Sequence, residues 1–281
     1  MNSTNTAHET EIQKSGFSLS NEDLQSIDVN GYFRIDDALS PAQVVAMRTR
    51  LQEIVDIEGD DAGLEVHTEV GTDRLGDLVN KDPMFDICFS HPRVLETARH
   101  MLGNDIRLSA LNSRTALPGY GHHGLHADSG SKVQPGEYEN AMSIWLLCDF
   151  TNKNGPTRVV PGSHSWGKLA AEEMDDPNLD HPDQIYLTGK AGTCFVFNAH
   201  IWHGGTMNNS EEKRPAIFAF FGRRDVGQSI DQKKYMRPET YERLDATARH
   251  MLDVEGMTEF SPADFDRRSD QYKRLNKDSA Y

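Results

Sequence analysis

The sequence is poor in three things, and each shortage removes a class of function. No apolar run approaches the roughly 18 residues that cross a bilayer, so no membrane partner is expected. Residues 1–15 are polar and lack the apolar core of a secretory signal, so 1–16 reads as a flexible N-terminal tail and the expected location is cytoplasmic. Only three cysteines occur, Cys88, Cys148 and Cys194, far apart and within apolar runs. That spacing gives no disulfide or zinc framework and fits buried thiols in a reducing compartment. Positive charge is short as well: 29 Lys+Arg stand against 44 Asp+Glu, a net charge of −15. A nucleic-acid partner needs a basic footprint and is not expected here; the acidic balance reads as solubility.

Catalytic signatures are missing too. There is no P-loop, no G-x-S-x-G elbow and no H-E-x-x-H helix. Gly119-Tyr-Gly121-His-His-Gly124 matches the dinucleotide pattern literally, yet no amphipathic helix follows it and no βαβ unit surrounds it.

What is present is a short helical region followed by many strands. Ser20-Asn-Glu-Asp23 opens a helix to about Val29, Asn30-Gly31 turns the chain, and Tyr32–Ile35 is a short strand. Ser40-Pro-Ala-Gln43 is a capping box with Pro at the first helical position, and Val44, Met47, Leu51 and Ile54 carry a helical period to about Ile57. Pro92–Leu102 is a second clear helix, stopped by Gly103. Strands are expected at Ile106–Leu117, Ala141–Phe150, Thr157–Val160, Gln184–Leu187, Thr193–Phe197 and Pro215–Gly222. Residues 58–81 read as an acidic, Gly-rich loop or short strands around the site, 170–183 as an acidic loop, and Pro238–Leu252 as a helix. The fold class is therefore mainly β with flanking helices, a double-sheet sandwich with helices outside. Three segments are expected: the tail, a main domain over 17–224, and a helical extension of it over 225–281.

Chemistry concentrates in residues 117–130. On an extended strand, residues two apart share a face, so His126 and Asp128 can converge on one metal ion. With a second histidine they would form the two-His, one-carboxylate triad of non-heme iron(II) oxygenases. The tripeptide alone is weak: 12 His and 44 Asp+Glu give roughly two chance His-x-acid matches, and His67-Thr-Glu69 and His181-Pro-Asp183 also occur. Context favours His126, which follows a Pro-Gly turn and precedes the most apolar strand. His181-Pro-Asp183 is poor strand material, and nothing near His67 completes a site. His200 and His203, after the strand at Thr193–Phe197, are candidates for the third ligand. Arg214 lies eleven residues beyond His203, at the start of the next strand, and is suited to a carboxylate. His122 and His123 are candidates for a mouth that closes over substrate. His164, Trp166 and Trp202 read as structural.

These residues resemble the phytanoyl-CoA dioxygenase family of Fe(II)/2-oxoglutarate-dependent oxygenases. The likeness runs from about Leu19 to Arg224 and is most specific in Asn154-Gly-Pro-Thr-Arg-Val-Val-Pro-Gly-Ser-His164. The resemblance implies a double-stranded β-helix (jelly-roll) core, iron held by His126, Asp128 and His203, and Arg214 on the distal carboxylate of 2-oxoglutarate. It places Trp145 and Asn112 at the cosubstrate and Arg114 toward the substrate. Two residues after the distal histidine the family often has a small hydroxyl residue; Gly205 stands there, so Thr206 is taken as its substitute. The implied cofactors are Fe(II), 2-oxoglutarate and O2. The implied reaction is hydroxylation of an unactivated C–H bond of a small-molecule metabolite, with release of succinate and CO2. Desaturation, epoxidation or cyclisation of a natural-product intermediate is the alternative, and a non-catalytic jelly-roll binding protein the alternative from another class. Asp128 as a ligand argues against a halogenase, which has a small residue there. The expected partner is a small molecule, with a second copy of the chain as a candidate homodimer partner.

Overall fold

The computed structural model describes residues 18–130 and 132–261. The expected N-terminal tail, 1–16, and the last part of the C-terminal extension lie outside the described residues.

Three helices begin where local chemistry starts them. Ser20 caps α1 (Asn21–Asn30) by accepting the Asp23 N–H, while the Asp23 carboxylate accepts the Ser20 N–H. Ser40 and Gln43 make the same reciprocal pair at the start of α2 (Pro41–Glu58). One stripe of α2, Val44, Met47, Leu51 and Ile54, is buried. In α3 (Pro92–Leu102) the buried stripe is Val94, Leu95, Ala98 and Leu102, and Gly103 ends the helix with φ +90°.

Among the described residues nine strands pair antiparallel: β1 (Tyr32–Ile35), β2 (Thr72–Leu75), β3 (Ile106–Ala116), β4 (Asn140–Leu146), β5 (Thr157–Val159), β6 (Ile185–Leu187), β7 (Cys194–Asn198), β8 (His203–Gly205) and β9 (Arg214–Arg223). The larger sheet has the order β1-β7-β4-β9-β3-β2, and the smaller β6-β5-β8. Its two sheets and outer helices make it the double-stranded β-helix that the sequence led us to expect.

The period of two sorts side chains between two cores. Ile217, Ala219 and Phe221 of β9 join Ala141 and Trp145 of β4 against the helices. The alternate residues, Ala216 of β9 and Met142, Ile144 and Leu146 of β4, fill the space between the sheets with Phe195, Phe197 and Phe150. Each large apolar side chain buried this way is worth about 1.5–3 kcal/mol. A bulge between Leu108 and Ala110 resets β3, so that Asn112 opposes Phe218, Arg114 opposes Ala216, and Ala116 opposes Arg214. The polar residues Asn112, Arg114 and Arg214 thereby share the inner face.

Three expectations change. The strand expected over Ala141–Phe150 ends at Leu146, where the chain leaves the sheet. The loop expected over 170–183 contains a helical turn at Ala170–Glu173. The helix expected over Pro238–Leu252 is two, α4 (Pro238–Arg243) and α5 (Ala246–Met251), broken at an extended Leu244 whose side chain enters the helix-side core with Met251, Leu252 and Val254. Among the described residues no helix is long and apolar enough to cross a membrane.

Candidate metal centre

After β3, the chain turns at Leu117–Tyr120 and runs back beside β8. His123 N–H donates to Gly205 O at 2.9 Å, and His126 and His203 exchange both backbone hydrogen bonds at 2.9 Å. A directly paired antiparallel couple puts both side chains on one face. The approach depends on glycine: a Cβ at Gly204 would lie 2.6 Å from His123 O, and one at Gly205 only 2.2 Å from Gly121 O. This crowding accounts for the absence of a hydroxyl residue at 205.

Asp128 arrives by a different route from the one expected. His126 lies in a single bridge, and Asp128 sits in the turn closed by Gly130 N–H to Ala127 O at 3.2 Å. The Asp128 N–H donates to Ala199 O at 3.0 Å and fixes the turn. The convergence is made by a bridge and a turn, not by two residues of one strand.

Nε2 of His126 lies 3.4 Å and Nε2 of His203 3.5 Å from Asp128 Oδ1, and the three candidate ligand atoms fall within 4.8 Å of one another. Each Nδ1 lies 2.9 Å from a backbone carbonyl, Gly124 O for His126 and Ile201 O for His203. A carbonyl only accepts, so each Nδ1 carries a proton, and each Nε2 is left facing Asp128 as the atom free to bind a metal. Metal–ligand bonds of about 2.1 Å place adjacent donors of one ion about 3–3.5 Å apart, so the donor set fits a single ion. Burial works against the charge of Asp128, but the two imidazoles outweigh it and hold its carboxyl well below the usual carboxylate range. For His126, burial opposes protonation and the Asp128 carboxylate more than offsets it, so its pKa is raised. His203 is buried, while the His126 side chain keeps 43% of its exposure, so the site opens on the His126 side.

Arg214 begins β9 on the inner face and is only 2% exposed. Its guanidinium lies 4.6 Å from the centre of the Phe150 ring. Its Nε and Nη1 have no hydrogen-bond partner. Burial, helped by the charge of Arg114, pushes it down to about 9, still a cation at neutral pH. A buried cation with unused donors is a site for an anion.

The other expected residues divide. Asn112 lies on the inner face and accepts the Asp77 N–H at 3.4 Å. Arg114 grips Glu69 with two hydrogen bonds at 2.8 and 2.5 Å, and His123 Nε2 is 2.9 Å from the same carboxylate. Burial opposes the charge on Glu69, but Arg114 and His123 hold its carboxyl well below the usual range. His122 is exposed. Thr206 gives its hydroxyl to Pro156 O at 2.6 Å. Trp145 needs a correction. It belongs to the helix-side core, with its ring edge-on to His91 and its indole N–H on Ser143 Oγ at 3.0 Å, so it does not line the inner face. Its neighbours Ile144 and Leu146 do.

Of the rival histidines, His200 spends its ring on the fold: Nε2 accepts the Glu139 N–H at 3.1 Å and Nδ1 lies 2.8 Å from Ser129 Oγ. His67 Nε2 sits 2.8 Å from Arg74 Nη1, and His181 is 4.0 Å from Asp183. Among the described residues, His126, Asp128 and His203 form the one group arranged for a metal.

Sequence reasoning passed over two residues. Glu69 entered as the acid of the rival His67-Thr-Glu69 match; it anchors a charged cluster instead. Arg158, fully buried on β5, donates to the carbonyls of His123, Pro177, Asn178 and Leu179 at 3.0–3.3 Å. It ties the 177–180 loop to the strand-like segment that carries His126. Its signal was a charged residue inside an otherwise apolar Thr-Arg-Val-Val run. Beside Asp128 opens a cavity of about 570 Å³, lined in part by Arg74, Asn112, Ser129 and Phe220.

The family model for phytanoyl-CoA dioxygenase (PhyH) matches residues 27–216. The dioxygenase ALT11 of Alternaria alternata is 26% identical over 215 residues, 70% of this chain and 69% of that protein. The crystal structure of HygX from Streptomyces hygroscopicus with nickel and 2-oxoglutarate bound matches with TM-score 0.62 at 16% identity, over 75% of this chain and 90% of that one. SnoN, the α-ketoglutarate-dependent epimerase from nogalamycin biosynthesis, matches with TM-score 0.56 at 18% identity, over 71% and 81%.

Proposed function

The chain belongs to the phytanoyl-CoA dioxygenase family, and on that premise we propose that it is an Fe(II)- and 2-oxoglutarate-dependent dioxygenase. We take its reaction to be hydroxylation of an unactivated C–H bond of a small-molecule metabolite, with release of succinate and CO2. The observation that carries the reading is Arg214, a buried cation with two unused donor atoms, in the same fold as a complete His126–Asp128–His203 ligand set. A non-catalytic binding protein would have no need of both.

Iron held by those three residues would supply activation of O2, with 2-oxoglutarate as the source of two electrons. The rest is the work of this chain's residues. The Gly124 and Ile201 carbonyls fix each imidazole's tautomer and rotation, so Nε2 needs no reorganisation to bind. Arg214 would take the distal carboxylate of 2-oxoglutarate through its unused donors. Phe150 and the inner apolar residues Ile144, Leu146 and Ala216 keep water from that ion pair and strengthen it. Substrate would enter through the cavity beside Asp128. We treat 17–224 and the described part of 225–281 as one catalytic domain, since Met236 and Leu244 share the helix-side core with α2 and α3.

The ALT11 relationship and the 2-oxoglutarate in HygX support the cofactor assignment. The test needs no substrate: with Fe(II), 2-oxoglutarate, ascorbate and air, the protein should form succinate slowly, and Asp128→Ala should not. Equal succinate from both would overturn the assignment. Because SnoN is an epimerase, hydroxylation is tested separately: product made under ¹⁸O2 must carry one labelled oxygen. An unlabelled isomer, or a product that has only lost two hydrogens, would replace hydroxylation.

A further inference from the structure

Of the two candidate histidine ligands, His126 is the less enclosed. Its side chain keeps 43% of its exposure against 6% for His203, which sits on β8 paired with β5. The stretch leading to it, 119–124, contains three glycines, and Gly119 and Gly121 stand at φ +83° and +101°. A chain so rich in glycine does not hold one course by itself. His126 Nδ1 is oriented by Gly124 O, so slack in this stretch would reach the ring.

Part of the hold is made by backbone groups and Arg158: His123 N–H to Gly205 O at 2.9 Å, Leu125 N–H to Pro177 O at 2.8 Å, and Arg158 Nη2 on His123 O at 3.1 Å. A further part comes from Glu69. Its own backbone is fixed at the entry to β2, where the Thr72 N–H and hydroxyl both donate to Glu69 O, at 3.2 and 3.0 Å. Its carboxylate gathers three side chains. Oε1 accepts Arg114 Nη2 at 2.5 Å and lies 2.9 Å from His123 Nε2; Oε2 accepts Arg114 Nε at 2.8 Å and Arg74 Nη1 at 3.3 Å. An ionised carboxylate only accepts, so His123 donates here. Arg114 is buried on β3, between β2 and β9, and extends the same Nη2 to Gly121 O at 3.3 Å. Glu69 therefore reaches the glycine-rich stretch twice, at the His123 ring directly and at the Gly121 carbonyl through Arg114.

We propose that Glu69 is a positioning residue for the metal centre: it holds 121–123 at two points and thereby sets the place and rotation of His126. This rests on the reading of the site given above. The role needs a carboxylate. Both Glu69 oxygens accept from Arg114, so a glutamine in either orientation would turn its NH2 toward an Arg114 N–H, and both groups only donate.

The test uses the full chain and two readouts. The first needs no metal: in Glu69→Gln the His123 amide should exchange its hydrogen about tenfold faster than in wild type. The second is anaerobic Co(II) titration, in which Glu69→Gln should lose about 10- to 100-fold in affinity. A double-mutant cycle separates positioning from general loosening. On a His126→Ala background Glu69→Gln should change Co(II) affinity by less than about twofold, and on an Asp128→Ala background it should keep most of its effect. Trp145→Phe, which loosens the helix-side core instead, should leave Co(II) affinity within about twofold. Should Glu69→Gln fail to fold, His123→Ala carries the same cycle, since it removes one hold at a side chain that is 37% exposed. Wild-type Co(II) affinity in the tested variant, or an equal loss with and without His126, overturns the proposal. Absence of Co(II) binding by the wild type would sink the metal reading itself, whereas an unchanged exchange rate at His123 sinks the tether alone.

Discussion

Replacing Gly205 by alanine tests how the two histidines are brought together. The new Cβ would lie 2.2 Å from Gly121 O, a backbone atom that cannot swing aside. A carbon and a carbonyl oxygen rest no closer than about 3.3 Å, so the 121–126 segment and β8 must separate by about 1 Å. The His123 to Gly205 bond and the His126–His203 bridge span that same seam. A metal constellation tolerates displacements of only about 0.5 Å. Overpacking of this kind costs about 1–3 kcal/mol, which leaves a domain of this size folded. Metal affinity should suffer more than the fold does: a loss of about 10- to 100-fold is the usual result of disturbing the groups that orient ligands. The assay is anaerobic titration with Fe(II) or Co(II), with the melting temperature as the check on folding. Gly227→Ala is the control, because a Cβ there would meet nothing within 4 Å. If Gly205→Ala binds metal as tightly as wild type, the close backbone approach does not set the ligand geometry and the reasoning fails.

Three further outcomes are expected. Arg158→Met should cost about 2–5 kcal/mol and expose the 177–180 amides to hydrogen exchange, and Arg158→Lys should not restore them, since lysine lacks the planar fork that reaches several carbonyls at once. Glu69 has a pH signature. Its pKa in the fold is depressed, because Arg114 and His123 outweigh burial, so its stabilisation is full above the unfolded carboxylate value and fades as pH falls through the depressed one. Urea unfolding should therefore find Glu69→Gln weaker than wild type at pH 7 and the two converging well below pH 4; a constant gap would contradict the ion-pair account. Trp145→Phe should lower stability yet leave 2-oxoglutarate affinity within about twofold, and a large loss of affinity would reinstate Trp145 at the cosubstrate.

Elements that carry their own signals were legible in the sequence. Pro92–Leu102 is bounded by Pro and Gly and has a clean buried stripe, so its observed limits coincide with the expected ones. The capping boxes at Ser20 and Ser40 did the same for α1 and α2. The short strand β8 was not legible, because His-Gly-Gly has no strand propensity; it exists through its pairing with Thr157–Val159 and the bridge to His126. The break at Leu244 was hidden for a similar reason: core packing of one leucine overrides a helical pattern. At the site, His126, Asp128 and Arg214 stood out by residue type and spacing, while His203 was singled out from His200 only by the family resemblance. Trp145 was misplaced by one position, which in a strand is the whole difference between inside and outside. Glu69 and Arg158 were missed because their partners lie 45 and 35 residues away, at Arg114 and His123, and no local pattern announces a long-range ion pair or a carbonyl clamp.

The central claim is that His126, Asp128 and His203 hold iron while Arg214 anchors 2-oxoglutarate. The direct measurement is the visible spectrum of the anaerobic protein after addition of Fe(II) and then 2-oxoglutarate. The account predicts a weak metal-to-ligand charge-transfer band in the wild type, absent in Asp128→Ala and requiring far more 2-oxoglutarate in Arg214→Ala. No band in the wild type would contradict the iron and 2-oxoglutarate reading, and an unchanged band in both variants would contradict the assignment of these residues.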